Sequence, residues 1–259
     1  MSAHFRGPLL HARQGHPLDN IAANLTDPME GVVGFFEDFV VWGGPTGNVA
    51  TGSPVTAGGW SANQTGASAT GSIARADAAG GVLTITSATV DEGVTTLCTQ
   101  NAQFVLASNK RAWLAAKVKV SSLAETDLFV GFANQASPVV PIANSAINVT
   151  NGIYFLKAAP GSTIQAGAKN GANTAPFGDT YTLTADTYVI LALHVTPERH
   201  VEAWAGGTLS TLTRLGTLAS SSNALPAATT ALLPAVALGV EGTTARSASI
   251  DWIVAAAER

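Results

Sequence analysis

The sequence predicts an all-β protein: a β-sandwich of antiparallel strands, preceded by an extended N-terminal arm. Three observations predict it. The first is alternation. In residues 110–120, Leu114, Ala116, Val118 and Val120 point one way, and Trp113, Ala115, Lys117 and Lys119 the other. A period of two places one face in a core and the other in solvent, as in a half-buried antiparallel strand. The second is recurrence. The same grammar returns in residues 127–133, 152–157, 187–196, 200–204, 234–241 and 247–254. The third is punctuation by Gly, Asn and Pro between these runs, which at this spacing means a sandwich.

Length and composition bound the rest. A chain of 259 residues builds a substantial core, and an all-β body of this size forms one domain. Only 12% of residues are charged while 46% are hydrophobic and 26 are Gly, so much of the surface is small and weakly polar. Such a surface suits burial against neighbours in an assembly. An Ala- and Gly-rich compositional bias accounts for the same numbers. The net charge of −4, with no basic run, argues against a nucleic-acid binder. No apolar stretch is long enough to span a bilayer as a helix. The first ten residues lack the apolar core and cleavage site of a signal peptide. A single cysteine, Cys98, excludes an internal disulfide and reads as a buried, inert thiol. Folding in a reducing host cytoplasm is the expectation.

Residues 1–34 read as the arm. They hold His4, His11, His16, Arg6 and Arg13, and are broken by Pro8, Pro17 and Pro28. Asp19 is a helix N-cap candidate for one or two turns over 19–25. No periodic apolar face is present, so the arm is expected to be either disordered or laid across a partner, a partner subunit being the natural candidate. Residues 35–259 form the body. The aromatic and β-branched run 35–42 reads as its first strand. Residues 43–81 form a long Gly-, Ala-, Thr- and Ser-rich segment with Trp60 as its one large anchor, and 61–74 is a candidate strand within it. From Val82 strands follow densely, with turn signals at Asn109-Lys110, Asn151-Gly152, Pro160-Gly161, Asn170-Gly171, Pro197-Glu198 and Gly206-Gly207.

The chemistry expected of this chain is sparse. A jelly-roll glycosidase needs two carboxylates flanking one bond. Glu37-Asp38 and Asp91-Glu92 are adjacent and would face opposite sides of a strand. Glu125 and Asp127 fall in what reads as a loop, as solvated turn carboxylates. The arm histidines lack the spacing of a metal site. His194 and His200 are placed to face each other across a hairpin but make no site alone. Residues 170–173 with Asp179 carry too little charge for calcium. No Gly-x-Ser-x-Gly elbow or phosphate loop occurs. No cofactor, no metal and no catalysis are therefore expected. Phe129, Phe132, Phe155, Trp204 and Trp252 are read as buried, and Trp113 as packed with them. That leaves Trp60 as the tryptophan to test for ligand or partner contact.

Taken in order, residues 35–38, 81–86, 113–120, 128–132, 152–155, 188–193, 200–204 and 249–254 resemble concanavalin A-like (laminin-G-like) jelly rolls. More narrowly, the chain resembles jelly-roll virion proteins of tailed bacteriophages, in which a Phe-x-Gly-Pro start opens the arm. Here that start is Phe5-Arg-Gly-Pro-Leu-Leu10. The resemblance implies a protein of the capsid surface that decorates or cements the shell by binding the major capsid protein and neighbouring copies of itself, as a dimer or trimer. The partner-binding candidates are His4, Phe5, Arg6, Pro8, Leu9, Leu10, Arg13 and Trp60. A carbohydrate-binding module of a tail fibre or spike is the alternative.

Overall fold

In the computed structural model of the chain, the described residues are 32–39, 42–66, 70–76, 81–134, 142–143 and 146–258. Two antiparallel sheets carry the body. Sheet A runs in the order β18 (Thr213–Leu218), β17 (Val201–Gly206), β16 (Val189–Val195), β9 (Ala112–Val120) and β20 (Ser247–Glu258). It continues with β6 (Val82–Thr86), β5 (Thr70–Ala76) and β2 (Gly47–Ala50), while β1 (Val32–Glu37) pairs with the far half of β20. Sheet B runs β15 (Asn173–Thr182), β14 (Thr163–Asn170), β13 (Asn151–Lys157), β10 (Thr126–Asn134) and β19 (Ala231–Val240). Then come β7 (Gly93–Thr99), β4 (Trp60–Thr65) and β3 (Val55–Ala57), with β8 (Phe104–Val105) on β19. A small hairpin, β11 (Ile142–Ala143) and β12 (Ala146–Ile147), completes the set.

The core lies between the sheets and follows from the alternation. Leu114, Ala116 and Val118 of β9 and Leu191 and Leu193 of β16 point inward from sheet A. Leu128, Val130 and Phe132 of β10 and Ile153 and Phe155 of β13 meet them from sheet B. Phe104 and Phe132 pack with ring centroids 5.1 Å apart. A register shift between Ile250 and Trp252 on β20 lets Ile250 and Ile253 both point inward while Trp252 points out. Burial on this scale, at about 25 cal/mol per Å² of apolar area, is what holds two sheets face to face.

Four expectations need correction. The first strand is Val32–Glu37, three residues earlier than read, and it ends before Phe39. Phe39 adopts φ 57°, a left-handed conformation that stops the strand and turns its ring into the core, edge-on to Trp42 at 5.2 Å. Residues 43–81 hold β2, β3, β4 and β5; the candidate strand 61–74 is two strands, β4 and β5, and the Gly- and Thr-rich composition hid β2 and β3. Asn151-Gly152 opens β13 instead of turning. Finally, neither outward face is the plain solvent face that alternation implied. Trp113 and Ala115 are buried, and only Lys117 and Lys119 on that side of β9 are half-buried.

One lateral side of the sandwich is closed. The edge strands β15 and β18 lie against each other where Gly178 meets Gly216. Gly178 has φ +71°, and a Cβ there would sit 2.9 Å from the Gly216 nitrogen. Only Gly supplies both the conformation and the clearance. Pro176, two residues earlier on the same edge strand, removes a donor and so guards the edge against further pairing.

Candidate functional site

The outward face of sheet B is where the fold concentrates its irregular features. Register defines its rows. Phe129 lies opposite Leu156 and Ala237, Ala237 opposite Thr96, and Thr96 opposite Asn63. In the next row Gly131 lies opposite Tyr154 and Ala235, Tyr154 opposite Gly167, and Gly167 opposite Pro176. Most of these side chains are apolar, so the face needs a cover. Ile142 and Val149, from the connection between β10 and β13, supply one. They pack on Phe129, Ala133, Tyr154, Leu233, Ala235 and Ala237 as a second buried cluster, with Ile147 at its margin.

Beside this cover a cavity of about 490 Å³ opens over β13, β14 and β15. Tyr154 and Leu156 form part of its floor, Pro176 and Ile147 part of its walls. Gln165, Thr163, Thr174 and Thr180 provide neutral polar groups, and among the described residues no Asp, Glu, His, Lys or Arg lines it. Tyr154 stacks on Phe129 at 5.6 Å and its ring lies across Gly167. A Cβ on Gly167 would come within 2.6 Å of the ring, so the flat lie of Tyr154 requires Gly there. Burial pushes the Tyr154 phenol up to about 12. It stays neutral through the physiological range. The described lining can therefore hold a neutral, partly apolar group.

The carboxylates are engaged elsewhere. Glu125, in the turn before β10, accepts from both Arg246 Nε, at 2.9 Å, and Arg246 Nη2. Asp127 lies on β10, a correction to its reading as loop, and its Oδ1 accepts from the Ala159 amide at 2.7 Å. Glu37 accepts from the Phe39 amide at 2.9 Å, and burial holds its carboxyl above the usual range. Asp251 pairs with Lys117. Each satisfies backbone or a cation in its own turn, and none faces the cavity. His194 and His200 do not face each other. His194 lies opposite Glu202 and its Nδ1 is 3.2 Å from the carboxylate, because the hairpin turns at Thr196, whose amide donates to the His200 carbonyl. Asn170 and Asn173 close the β14–β15 turn. No group of three or more metal-ligating side chains occurs among the described residues.

One placement was not foreseen. Lys157 extends inward from β13 with no exposed surface, and its Nζ donates to the Leu123 and Thr126 carbonyls. It closes the turn at one end of the sandwich. Burial lowers its ammonium to about 8, and the nearby Asp127 carboxylate pulls the other way. Cys98 lies on β7 in the outward cluster, its thiol pushed up to about 12 by burial. It is the inert thiol expected.

Of the partner-contact candidates, His4, Phe5, Arg6, Pro8, Leu9, Leu10 and Arg13 lie outside the described residues. Trp60 is placed in the core, 6% exposed, with its ring 5.6 Å from that of Trp42. Its ring is not on offer to a ligand, because β4 turns it inward beside Ala62. Phe129, Phe132, Phe155 and Trp252 are buried as expected, while Trp204 is half-buried. The cavity residues Tyr154, Gln165 and Pro176 drew no attention in the sequence. One signal was available: Tyr154 and Gly167 sit at facing positions of the β13–β14 hairpin, a large ring opposite an absent side chain.

No protein-family model matches the sequence, and no curated protein sequence does. Solved structures do. A protein of unknown function from Shewanella oneidensis MR-1 is 16% identical over 91% of this chain and 92% of its own, with a TM-score of 0.56. A prokaryotic β-1,3-1,4-glucanase (lichenase) derived from a mouse hindgut metagenome is 12% identical over 86% of this chain and 98% of its own, at 0.52. Peanut lectin is 9% identical over 87% and 97%, also at 0.52. At these identities the likeness is one of fold: the chain has a jelly-roll β-sandwich like those of this glucanase and this lectin. Fold alone does not carry function across.

Proposed function

We propose that this chain is a non-enzymatic structural protein of a phage particle, a decoration or cement subunit that binds major capsid subunits and neighbouring copies of itself on the virion surface. The observation that carries the proposal is the filled outward face of sheet B. A hydrolase of this architecture needs an open face with two carboxylates about 5–9.5 Å apart. Here Ile142, Val149, Phe129, Tyr154 and Leu233 occupy that face as packed apolar side chains. Glu125 and Asp127 are held by Arg246 and the Ala159 amide. A weakly charged body lowers the desolvation cost of repeated contacts, and many modest contacts add up through avidity. The test is biochemical. Particles purified through successive gradients should retain the protein in stoichiometric amounts. Its absence from such particles sinks the proposal.

A second reading, a carbohydrate-binding jelly roll of a tail fibre or spike, is favoured by the cavity over β13–β15. Its neutral lining of Thr, Gln, Tyr and Pro suits an uncharged sugar ring. Binding on a panel of neutral glycans that is lost in Gln165→Ala, with the fold intact, would favour this reading over the first.

A further inference from the structure

The cavity over β13–β15 holds a buried polar group that the body itself does not use. Tyr154 is 4% exposed and lines the cavity, yet its hydroxyl has no hydrogen-bond partner among the described residues. Burial alone raises its phenol, with no hydrogen bond to offset it. Buried polar groups nearly always find a partner, so this one is an open valence. Its direction is fixed. The ring lies across Gly167, with the oxygen 2.8 Å from where a Cβ there would sit, and Gly167 faces Pro176 of β15. The hydroxyl therefore projects along the cavity floor toward β15. Gln165 stands two residues before Gly167 on β14, hence on the same face. Its Nε2 donates to the Gly178 carbonyl at 3.0 Å. That bond holds the amide in place and leaves Oε1 as an acceptor with no donor among the described residues. Around these two groups the described walls are mostly alkyl: Ala146 and Ile147 of β12, Leu156 of β13 and Pro176.

We infer that the cavity takes the N-acetyl group of a neutral acetamido sugar, with Tyr154 donating to the acyl carbonyl, Gln165 Oε1 accepting from the amide N–H, and the methyl lying on Ile147 and Leu156. The inference rests on the carbohydrate-binding reading and names the sugar class for that site. One donor, one acceptor and an alkyl wall are the complement of an acetamide. A plain hexose would set hydroxyls against the alkyl side chains and leave them without partners. An acidic sugar would find no cation in the described lining, and a free amino sugar no carboxylate. The Tyr154 phenol, at about 12, stays a donor through the physiological range. A volume of about 490 Å³ falls within the range of small-ligand sites. Exposed Thr163, Thr174 and Thr180 stand at the rim, where the hydroxyls of a sugar ring would lie. The fold also argues against a peptide as the source of the amide. Peptides dock on sheets by adding a strand to an open edge. Here β15 lies against β18 at Gly178, and Pro176 removes a donor from the rest of that edge.

Titration calorimetry of the full chain tests it, with neutral oligosaccharides offered in pairs of the same linkage and length. One pair sets N-acetylglucosamine against glucose, the other N-acetylgalactosamine against galactose. In at least one pair the acetamido member should bind about tenfold tighter or more, from one added hydrogen bond and one buried methyl. Tyr154→Phe keeps the ring and removes the hydroxyl, so it should shrink that preference by roughly fivefold and leave the unsubstituted sugar's affinity unchanged. Equal affinity within both pairs overturns the inference and leaves the carbohydrate-binding reading standing. A preference that Tyr154→Phe does not alter also overturns it, since the acetamide would then be read elsewhere. No binding in either pair, or by any other neutral glycan, removes the reading together with the inference. Saturation-transfer NMR on the unaltered chain gives a readout that needs no variant. The acetyl methyl protons should receive the strongest transfer, and stronger transfer to the ring protons overturns the inference.

Discussion

The two outward faces of this sandwich meet the same problem by different means. Both carry a buried apolar cluster outside the core between the sheets. On sheet B the cover is visible. Ile142 and Val149 from the β10–β13 connection seat on Phe129 and Tyr154, and Cys98, Ala235 and Ala237 are small enough to pack beneath. On sheet A the cluster is built of large rings, Trp113 and Trp252 with Trp204 beside them, and two indole donors lack partners among the described residues. The lesson is that strand alternation reports which residues share a face, and not whether that face meets water. A jelly roll with long connections adds partial third layers, and an alternating strand then needs apolar residues on both sides.

The comparison is broken most directly by truncating one ring on each face. Phe129→Ala should cost about 3–5 kcal/mol, since the ring is fully buried and its neighbours are small and cannot collapse far. Trp113→Phe should cost far less, because it removes an indole donor without a described acceptor and keeps an aromatic ring against His194. Urea unfolding of the two variants checks the pair. A larger loss from Trp113→Phe would mean that the indole N–H is well bonded and that the sheet A face is the better satisfied of the two.

A smaller effect is expected where sheet B narrows. Gly167→Ala places a Cβ against the Tyr154 ring and should cost about 1–3 kcal/mol as the ring is displaced. The displaced ring should also reduce the cavity and change the near-ultraviolet circular dichroism of the tyrosines. A neutral outcome on both readouts would show that Tyr154 is not held flat by its neighbour.

Much of this was legible beforehand, and the gaps have physical causes. The fold class and the strands from Val82 onward follow from period-two patterning, because large apolar residues mark inward positions plainly. In 43–81, β2 and β3 escaped and the candidate strand 61–74 proved to be two, β4 and β5, because Gly, Thr, Ser and Ala carry little hydrophobic contrast and β2 and β3 have only four and three residues. Trp60 was misjudged for the same reason: a lone large residue among small ones reads as a surface anchor, whereas β4 carries it into the core. Lys157 was invisible, since no sequence pattern distinguishes a lysine that turns inward to two carbonyls from one that ends in solvent. The Tyr154–Gly167 contact needed the register of β13 with β14 before it meant anything.

Lys157 gives the comparison a pH axis, since it sits beneath sheet B and has no counterpart described under sheet A. Its folded value of about 8 lies below the usual lysine value near 10.4. Between these two pH values the unfolded chain binds the proton more readily than the folded one, so this group makes stability rise with pH across that window. Below about pH 8 both states are protonated and the penalty of burying the charge is present in full. Lys157→Met should therefore flatten the rise in melting temperature between pH 8 and pH 10. A wild-type profile that falls through this window and is unaltered by the substitution would show that the carbonyls of Leu123 and Thr126 hold the charged form better than burial opposes it.

The smallest effect is expected at the margin of the sheet A face, where Arg214 reaches Glu202 at 3.2 Å and Glu202 in turn meets His194. Arg214 is 55% exposed, so water and salt screen the pair, and fixing a long side chain offsets part of the attraction. A double-mutant cycle with Arg214→Ala and Glu202→Gln should give a coupling of about 0.5 kcal/mol or less, declining further in 0.5 M salt. The Trp113 cluster under this rim should hold whether or not the pair forms, because its stability comes from ring burial. If the cycle instead returns more than about 1 kcal/mol and resists salt, the pair is desolvated. The buried face of sheet A would then extend past Trp113 to the outer strands β17 and β18. That outcome would enlarge the covered face of sheet A and leave the cavity over β13–β15 as the opening beside the filled part of sheet B.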